Sequence, residues 1–429
     1  MLEIGALREA PEVVRQALSR RGWKDTSVVD EAVALDKERR RLLTELQAHQ
    51  AATNAEAALV GRLMRRRERA KAQDKIRELG RRKEIVKALA DQAQARQDAL
   101  DALLLTIPNS PHESVPAGRT ADDNVLVHLR GDQPMFDFEP RPHWELAELH
   151  GLVDFARGTK VAGAGFPFYV GDGARIQRAL LRFFLREAAS AGYLEVQPPL
   201  VVNEASALGT GQLPDKEGQM YHLPGNNLYL VPTGEVPLTN LYRGEVISAD
   251  SLPVKLCGHT PCWRREAGSY GKDVRGLNRL HQFDKVEIVQ IVHPATSYAV
   301  LDEMVRHAEK LLTALRLPYR RMLMCTGDMG FNQTKQYDLE VWSAGQQRWL
   351  EVSSVSNFET YQAQRLKLRY RSKGGRPRLA HTLNGSALAL PRILAALLEN
   401  NQQADGSVRI PPVLGRYADM ESDWIIRAA

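Results

Sequence analysis

Residues 76–104 read IRELGRRKEIVKALADQAQARQDALDALL, a stretch without proline. Positions suited to one face of a helix recur along it at alternating steps of three and four residues. They are Ile76, Leu79, Lys83, Val86, Ala90, Ala93, Gln97, Leu100 and Leu104. This alternation is typical of a helix that packs along its length against a second helix. The stretch therefore predicts one arm of a coiled coil.

The second helix is expected immediately before this stretch. Residues 27–75 also lack proline, and their only glycine is Gly61. Their apolar positions are spaced more loosely and comprise Leu35, Leu42, Leu46, Ala57, Val60 and Met64. We place the connecting turn within residues 65–74, which gives an antiparallel helical hairpin over residues 27–104. Because such a hairpin has little other core, its far end is expected to project from the body of the protein.

The net charge of +6 is unevenly distributed. Residues 60–90 hold twelve basic and four acidic side chains, so this segment carries +8 and the rest of the chain −2. Such a run is usually a solvated helix face, but a rod of concentrated positive charge also suits a nucleic-acid backbone. No Phe, Trp or Tyr lies between Trp23 and Phe136, so that contact would involve phosphates rather than stacked bases.

Composition places the chain among ordinary globular proteins, with 43% hydrophobic and 26% charged residues. Its 429 residues exceed what one hydrophobic core usually supports and predict two or three domains. The most apolar stretch, residues 387–398, includes Pro391 and Arg392 and is too short to cross a bilayer. Charged residues within the first nine positions argue against a signal peptide, and only three cysteines occur. We therefore expect a soluble, cytoplasmic protein without membrane association.

A change of composition marks the expected domain boundary. Pro108, Pro111, Pro116 and Gly118 fall within eleven residues and predict a linker near residues 110–120. We assign residues 1–110 to the helical domain and residues 111–429 to a second domain. Expected strands there are 193–202, 228–232, 285–292 and 348–352, and expected helices are 174–191, 298–315 and 387–401.

This mixture of strands and helices predicts an α+β fold built on an antiparallel sheet rather than a doubly wound parallel one. The sequence contains neither G-x-G-x-x-G nor G-x-x-x-x-G-K-[ST], which argues against a Rossmann dinucleotide site and a P-loop. Other groups must therefore hold any nucleotide that binds.

Residues 260–287, TPCWRREAGSYGKDVRGLNRLHQFDKVE, carry the densest set of candidate binding groups. Cationic side chains flank a glycine-rich turn, namely Arg264, Arg265, Lys272, Arg275 and Arg279. Guanidinium groups match phosphate oxygens and Phe283 offers a face to a purine, so the segment suits a polyphosphate. A charged surface hairpin is the alternative. The nearby Cys257, His259 and Cys262 lack a second ligand pair at zinc spacing and are more simply strand residues.

Three further clusters combine hydroxyl, carboxylate and cationic groups. Thr233 and Glu235 lie in a short loop bounded by prolines. The sequence EVSS at residues 351–354 alternates acid and hydroxyl on one face of a strand, which suits an oxygen-seeking cation such as Mg²⁺. The sequence NGS at residues 384–386 is expected to open the helix 387–401, beside Arg392. Each cluster alone is a weak signal, but their joint occurrence after a basic hairpin favours a binding site.

These segments, in this order, resemble the bacterial-type seryl-tRNA synthetases, a family of class II aminoacyl-tRNA synthetases. The resemblance runs from MLEIGALREAPEVVRQAL at the start through IPNSPHESVPAG, GTGQLP and VPTGEVPLTN. It continues through CWRREAGSYGKDVRGLNRLHQF, GDMGF, YDLEVW, EVSSVSN, RYRSKGG and HTLNGSALALPRILAALLEN. It implies a helical tRNA-binding arm followed by an antiparallel sheet of six or seven strands flanked by helices. The helix 174–191 and the strand ending at residues 198–199 match the family's first motif, which implies a homodimer.

The resemblance also implies roles for individual residues. The implied catalytic residues are Arg264, Glu266 and Arg392. The implied ATP contacts are Arg264, Arg265, Glu266, Phe283, Glu351, Val352, Ser353, Ser354 and Arg392, with Glu351 and Ser354 also holding Mg²⁺. The implied serine contacts are Thr233, Gly234, Glu235, Arg264, Glu287 and Ser386. The implied tRNA contacts near the hairpin turn are Arg62, Arg65, Arg66, Arg67, Arg69, Lys71, Lys75 and Arg77.

The implied activity is that of a serine–tRNA ligase, which forms seryl-adenylate and pyrophosphate from L-serine and ATP. The seryl group then passes to the 3′ end of tRNA(Ser), and of tRNA(Sec) where the host has one; DNA is not an expected partner. Two alternatives are a ligase that charges a carrier protein and an inactive paralogue that binds tRNA. The long arm argues against the first. Retention of four residues argues against the second, namely Arg264, Glu266, Glu351 and Arg392.

The sequence departs from the family pattern at several positions near the expected site. Gly234 replaces a usual Ala, Arg265 a common Ser, and Val355 a usual Cys, while Ala387 and Pro391 stand where Gly is frequent. None of these changes removes a charged ligand. Pro391 inside the expected helix would remove one backbone hydrogen bond and kink the helix near Arg392.

Overall fold

The computed structural model describes residues 1–215, 218–266, 275–418 and 424–427. The chain forms two compact units, residues 1–110 and residues 111–429. In the described residues, no helix has both the length and the hydropathy needed to cross a membrane.

The first unit is entirely helical. Its helices are α1 (Ile4–Glu9), α2 (Pro11–Arg20), α3 (Val28–Arg65) and α4 (Arg69–Thr106). Helices α3 and α4 have 38 residues each and pack along each other, so the hairpin is about 57 Å long at 1.5 Å per residue. The turn between them falls at residues 66–68, within the predicted range, and the coiled-coil arm is confirmed.

The contact stripe of α4 agrees with the predicted seam only in its second half. Ala93, Leu100 and Leu104 are buried as expected, but Ile76 is 47% exposed and Lys83 is exposed. Nearer the turn, Arg82 instead faces α3 and donates two hydrogen bonds to Glu56, at 3.1 and 2.8 Å. An α-helix has 3.6 residues per turn, so a strict 3.5-residue repeat drifts around it and the buried stripe shifts by one position.

The apolar core of the first unit lies at the end of the hairpin away from the turn. Leu7, Leu18, Val29, Leu100 and Leu104 form its centre, and α1 and α2 cover the base of α3 there. Between residues 61 and 87, only Ala72 is buried. The part of the arm near the turn is therefore held by helix pairing alone.

The second unit contains the remaining helices and all the strands of the described residues. The helices are α5 (His143–Leu149), α6 (Phe155–Ala162), α7 (Asp172–Ser190), α8 (Glu204–Thr210), α9 (Glu235–Asn240), α10 (Ser297–Ala314), α11 (Thr360–Leu366), α12 (Leu390–Asn400) and α13 (Pro412–Ala418). The first nine strands are β1 (Val125–Arg130), β2 (Val153–Asp154), β3 (Phe168–Tyr169), β4 (Leu194–Glu195), β5 (Val201–Asn203), β6 (His222–Leu223), β7 (Leu228–Leu230), β8 (Val246–Ser248) and β9 (Val254–Trp263). The others are β10 (Gln282–Val292), β11 (Tyr319–Leu323), β12 (Lys335–Ser343), β13 (Arg348–Glu359), β14 (Arg369–Arg371), β15 (Arg378–Leu379), β16 (His381–Ala389), β17 (Val408–Arg409) and β18 (Ile425–Ile426).

The main sheet has eight strands in the order β1-β11-β12-β13-β16-β10-β9-β4. Every neighbouring pair is antiparallel except β4 and β9, which confirms the predicted α+β class. One buried cluster of apolar side chains, from α7, α10 and α12 and from the central strands, forms the core. The sheet thus supplies a rigid floor for side chains that point away from this core.

Two expected elements were wrong in their boundaries. Residues 384–386 do not open a helix but lie inside β16, because this strand is paired on both sides, with β13 and β10. Helix α12 begins only at Leu390, so Pro391 stands in its first turn, where its missing N–H is not needed and no kink arises. The expected strand 193–202 is divided into β4 and β5, since Pro198 and Pro199 cannot donate to a ladder.

Candidate active site

A cavity of about 710 Å³ lies on the main sheet and gathers most of the residues singled out above. Its walls come from β10, β12, β13 and β16, from the start of α12, and from the segments 232–235, 264–266, 277–280 and 324–333. The expected site residues that line it are Thr233, Glu235, Arg264, Glu266, Phe283, Glu287, Glu351, Val352, Ser353, Ser354, Ser386 and Arg392. Residues from six separate parts of the chain thus share one space.

Two of the expected contacts do not line this cavity. The side chain of Arg265 is exposed, and its backbone N–H donates to the carbonyl of Gln219 at 3.0 Å. Gly234 lies behind the wall, where an added Cβ would be 2.9 Å from the Cβ of Glu287 and 3.3 Å from Thr260 Oγ1. Because Gly234 has no side chain, it leaves room for Glu287 and makes no side-chain contact in the cavity.

One end of the cavity holds a buried chain of polar groups. The Thr233 hydroxyl donates to Glu287 Oε2 at 3.1 Å and accepts from Lys285 Nζ at 2.8 Å. Lys285 also forms an ion pair with Glu287. Sequence reasoning missed Lys285, although a lysine two positions before an acid in an expected strand was a usable signal, because alternate residues share a face.

The carboxyl of Glu235 adjoins this chain and is buried. Burial, and next the charge of Glu287, raise the pKa of Glu235 to about 7. Gln362 on α11 donates to Glu235 Oε1 at 2.5 Å and to the carbonyl of Thr210 at 3.2 Å. Gln362 was also missed, and nothing local in the sequence identifies it, since α11 reaches the site only through the tertiary fold.

Two arginines stand in the wider part of the cavity. Arg264 Nε donates to the Pro232 carbonyl at 3.2 Å, and its guanidinium lies 5.3 Å from the centre of the Phe283 ring. Arg392 donates from Nε to the carbonyl of Asn278 at 2.9 Å and from Nη1 to that of Glu351 at 2.6 Å. Burial lowers the pKa of Arg392 below its ordinary value, yet an arginine stays charged at neutral pH.

A β-bulge determines which groups of the EVSS sequence face the cavity together. Leu339 pairs with Ser353 and Glu340 with Glu351, so Val352 is the extra residue. Without this bulge, Glu351 and Ser354, which are three positions apart, would point to opposite faces of a regular strand. With it, the Ser354 hydroxyl donates to Glu351 Oε1 at 3.1 Å. The structure thus pairs Glu351 with Ser354, the serine that the family resemblance named, rather than with Ser353, two positions away.

Ser353 is buried instead and donates to the Ser386 carbonyl at 2.6 Å. Asp338 lies beside Ser354 in the ladder and also lines the cavity. Burial, followed by the charge of Glu351, raises the pKa of Asp338.

These oxygen groups fit a magnesium ion. Carboxylate and hydroxyl oxygens are hard ligands, and Mg²⁺ typically takes one or two carboxylates, with substrate phosphates and water completing its shell. Across the ranges described, no cluster of three or more His, Cys, Asp or Glu could hold a metal without such help. Glu351 and Ser354 therefore suit an ion that arrives with a nucleotide.

Comparison with known proteins connects this geometry to a family. The model of the seryl-tRNA synthetase N-terminal domain matches residues 1–111, and that of the class II core domain (G, H, P, S and T) matches residues 221–401. The serine–tRNA ligase of Salinibacter ruber is 54% identical over 97% of this chain and 98% of its own.

The chain belongs to the seryl-tRNA synthetase family. The serine–tRNA ligase of Geobacter sulfurreducens is a further relative, 46% identical over 97% of this chain and 98% of its own. The seryl-tRNA synthetase of Pyrococcus horikoshii, solved as a complex with ATP, has a TM-score of 0.90 and 34% identity, and each chain covers the whole of the other. As a member of this family, the protein is a ligase of the class II aminoacyl-tRNA synthetases, as the sequence predicted.

The basic residues expected to contact tRNA all lie in this synthetase's arm, around the turn between α3 and α4. All but Lys75 have exposed side chains; the eight are Arg62, Arg65, Arg66, Arg67, Arg69, Lys71, Lys75 and Arg77. Lys75 is half-buried and forms an ion pair with Glu78, and Lys71 pairs with Glu68 at 2.9 Å. The positive charge of the turn is thus presented to solvent.

Proposed function

We propose that the protein activates L-serine with ATP and transfers the seryl group to tRNA(Ser), and to tRNA(Sec) in a host that has one. The observation that carries this proposal is one cavity in which Arg264, Arg392 and Glu351 face the polar chain of Thr233, Lys285 and Glu287. The first group suits the phosphates of ATP, and the second suits a small polar amino acid. A cytoplasmic location agrees with this function.

In the first step, a serine carboxylate oxygen forms a bond to the α-phosphorus of ATP. The bond from that phosphorus to the bridging oxygen breaks, and pyrophosphate leaves. Arg264 would neutralise the α-phosphate and the attacking carboxylate, and Arg392 the terminal phosphate. Such transfer requires positioning and charge compensation more than a proton shuttle, which accounts for the prominence of arginines. Mg²⁺ held by Glu351 and Ser354 would supply further positive charge to the phosphates.

Selection of serine would depend on its hydroxyl. The carboxylate of Glu287 already accepts from Thr233 and Lys285, so it is placed to accept a substrate hydroxyl as well. Alanine would leave this buried group without that partner, and sites of this kind reject such analogues by factors of about 10⁴. Threonine would be excluded by its larger size.

The arm and the sheet edge suggest how the protein assembles with RNA and with itself. Exposed basic side chains around the α3–α4 turn would contact tRNA phosphates, because they have no neighbouring aromatic side chains for stacking. Strand β1 is one of the two edges of the main sheet and has exposed Leu126 and Leu129, which supports a homodimer in which this edge is covered.

Pyrophosphate exchange with each of the twenty amino acids tests the proposed function. We expect serine to support exchange of labelled pyrophosphate into ATP, and threonine and alanine to give less than about a thousandth of its kcat/KM. Charging of tRNA(Ser) should follow in the same preparation. Exchange with another amino acid but not with serine would contradict the proposal.

A further inference from the structure

A buried histidine lies outside the cavity and holds a turn that forms part of the rim of the cavity. His143, at the start of α5, and Glu399, on α12, both have side chains that are 0% exposed. We propose that His143 is a positioning residue, which sets Arg392 for ATP by fixing the turn at residues 275–278. The proposal rests on the function proposed above, because it assumes that Arg392 binds ATP.

The carboxylate of Glu399 fixes the orientation and tautomer of His143. Its Oε1 accepts from the backbone N–H of His143 at 2.9 Å and from the ring Nδ1 at 2.7 Å. Its Oε2 accepts from the Ser343 hydroxyl and from the Gly345 N–H, the latter at 3.0 Å. Burial acts to raise the pKa of Glu399, but the bonds from His143 and Ser343 outweigh it and lower that pKa.

With its proton on Nδ1, the His143 ring has a free lone pair on Nε2, and the turn uses it. The backbone N–H of Leu277 donates to Nε2 at 2.8 Å. Gly276 has a φ of +67°, and a Cβ at this position would lie 2.3 Å from Nε2. The Arg275 guanidinium lies 4.5 Å from the centre of the Trp144 ring. Residues 275–277 of the turn therefore pack against His143 and Trp144.

The turn at residues 275–278 also holds Arg392. The carbonyl of Asn278, next to Leu277, accepts from Arg392 Nε at 2.9 Å. Arg392 and Glu399 stand on the same helix, about two turns apart. The contacts thus form a closed ring, from α12 through Glu399, His143 and the turn back to Arg392. Leu277 and Asn278 line the cavity, whereas His143 does not, so its influence on ATP is indirect.

A pair of substitutions at residue 143 separates this role from packing. His143→Gln can place an acceptor near the position of Nε2, whereas His143→Asn reaches only as far as Nδ1. We expect His143→Asn to raise the KM for ATP about tenfold, which corresponds to the loss of one buried hydrogen bond. The KM for serine should stay within about twofold of the wild-type value. His143→Gln should restore the KM for ATP to within about threefold of the wild-type value. The readout is serine-dependent pyrophosphate exchange.

Two further variants secure the interpretation. Trp144→Leu removes the stacking on Arg275 and should raise the KM for ATP about threefold, which tests the same turn if His143→Asn does not fold. His150→Asn is the matched control, because His150 ends α5 with a bond to the Gly406 carbonyl and should leave both KM values unchanged. Equal rises in both KM values, or wild-type values for His143→Asn, would overturn the proposal. Absence of exchange in the wild type would instead refute the proposed function.

Discussion

At the scale of single residues, Arg392 shows how a half-buried cation is held in the wall of a cavity. Backbone carbonyls of Asn278 and Glu351 accept from two of its nitrogens, and the Glu351 carboxylate lies 3.8 Å away. Its guanidinium is therefore compensated yet still faces the cavity. Burial of an arginine is tolerable only with such partners.

Substitution of Arg392 should remove the first chemical step. We expect Arg392→Ala to lower serine-dependent pyrophosphate exchange by at least about 10³-fold, because the loss of a charged donor in a dry site weakens transition-state binding. Arg392→Lys should recover little, since one ammonium group cannot reproduce a planar fork. Arg376→Ala, in the exposed segment between β14 and β15, serves as the control. Undiminished exchange by Arg392→Ala would remove the assignment of the ATP site.

The raised pKa of Glu235 predicts that the stability of the folded protein depends on pH. Its pKa is about 7 in the folded protein against an ordinary 4.5, so between these values the folded state holds a proton that the unfolded chain releases. Its contribution to stability is therefore complete below about pH 4.5 and is lost as the pH rises towards 7.

We expect Glu235→Gln to remove this loss. The Tm of the variant, relative to that of the wild type, should rise across that pH window and level off above it. The corresponding change in the free energy of unfolding should be on the order of 3 kcal/mol at most. Thermal unfolding without serine, measured at steps of half a pH unit, provides the comparison. A Tm difference that is flat with pH would show that Glu235 is ionised in the folded state.

The residues found by sequence alone were those whose chemistry is unusual for their position. Arg264, Glu351 and Arg392 interrupt apolar or glycine-rich runs, so they were found. Lys285 and Gln362 were not found, because their importance comes from their contacts. Lys285 contacts Thr233 and Glu287, and Gln362 contacts Glu235.

At the scale of secondary structure, periodicity predicted the elements better than their ends. The helical hairpin and its turn followed from missing prolines and regular spacing. The start of α12 did not, because local sequence cannot show that β16 is paired on both sides. Nor could it show the extra residue Val352, which depends on the register between β12 and β13.

The arm can be shortened at matched positions of its two helices. The bond between Arg82 and Glu56 and the 2.9 Å ion pair between Arg96 and Glu38 fix the helix register, so residue 60 lies opposite about residue 78. Replacement of residues 61–77 by two glycines should leave pyrophosphate exchange within about twofold. Charging of tRNA(Ser) should fall by at least about 10²-fold, because phosphate contacts dominate such affinity.

The salt dependence of charging provides the control for this truncation. The intact protein should show a KM for tRNA that rises steeply with salt, and the shortened protein a much weaker dependence. Equal charging by the two proteins would refute the proposed role of the arm.

At the scale of the whole molecule, the β1 edge of the main sheet is a feature that calls for a partner. All of β1 is exposed, with Leu126 at 52% and Leu129 at 54%. An exposed apolar edge strand favours pairing with another chain. We expect Leu126→Asp with Leu129→Asp to convert a homodimer into monomers in light scattering. Val13→Asp, on an exposed part of α2, is the control, and a double variant that remains dimeric would place the interface elsewhere.

The sparse burial near the α3–α4 turn has an evolutionary consequence. Since Ala72 is the only buried residue between positions 61 and 87, most substitutions there have little effect on folding. The proposed RNA contacts of the arm can therefore diverge while the main sheet stays constant. Grafting this segment from one relative to another should transfer substrate preference between species without redesign of the adenylation centre.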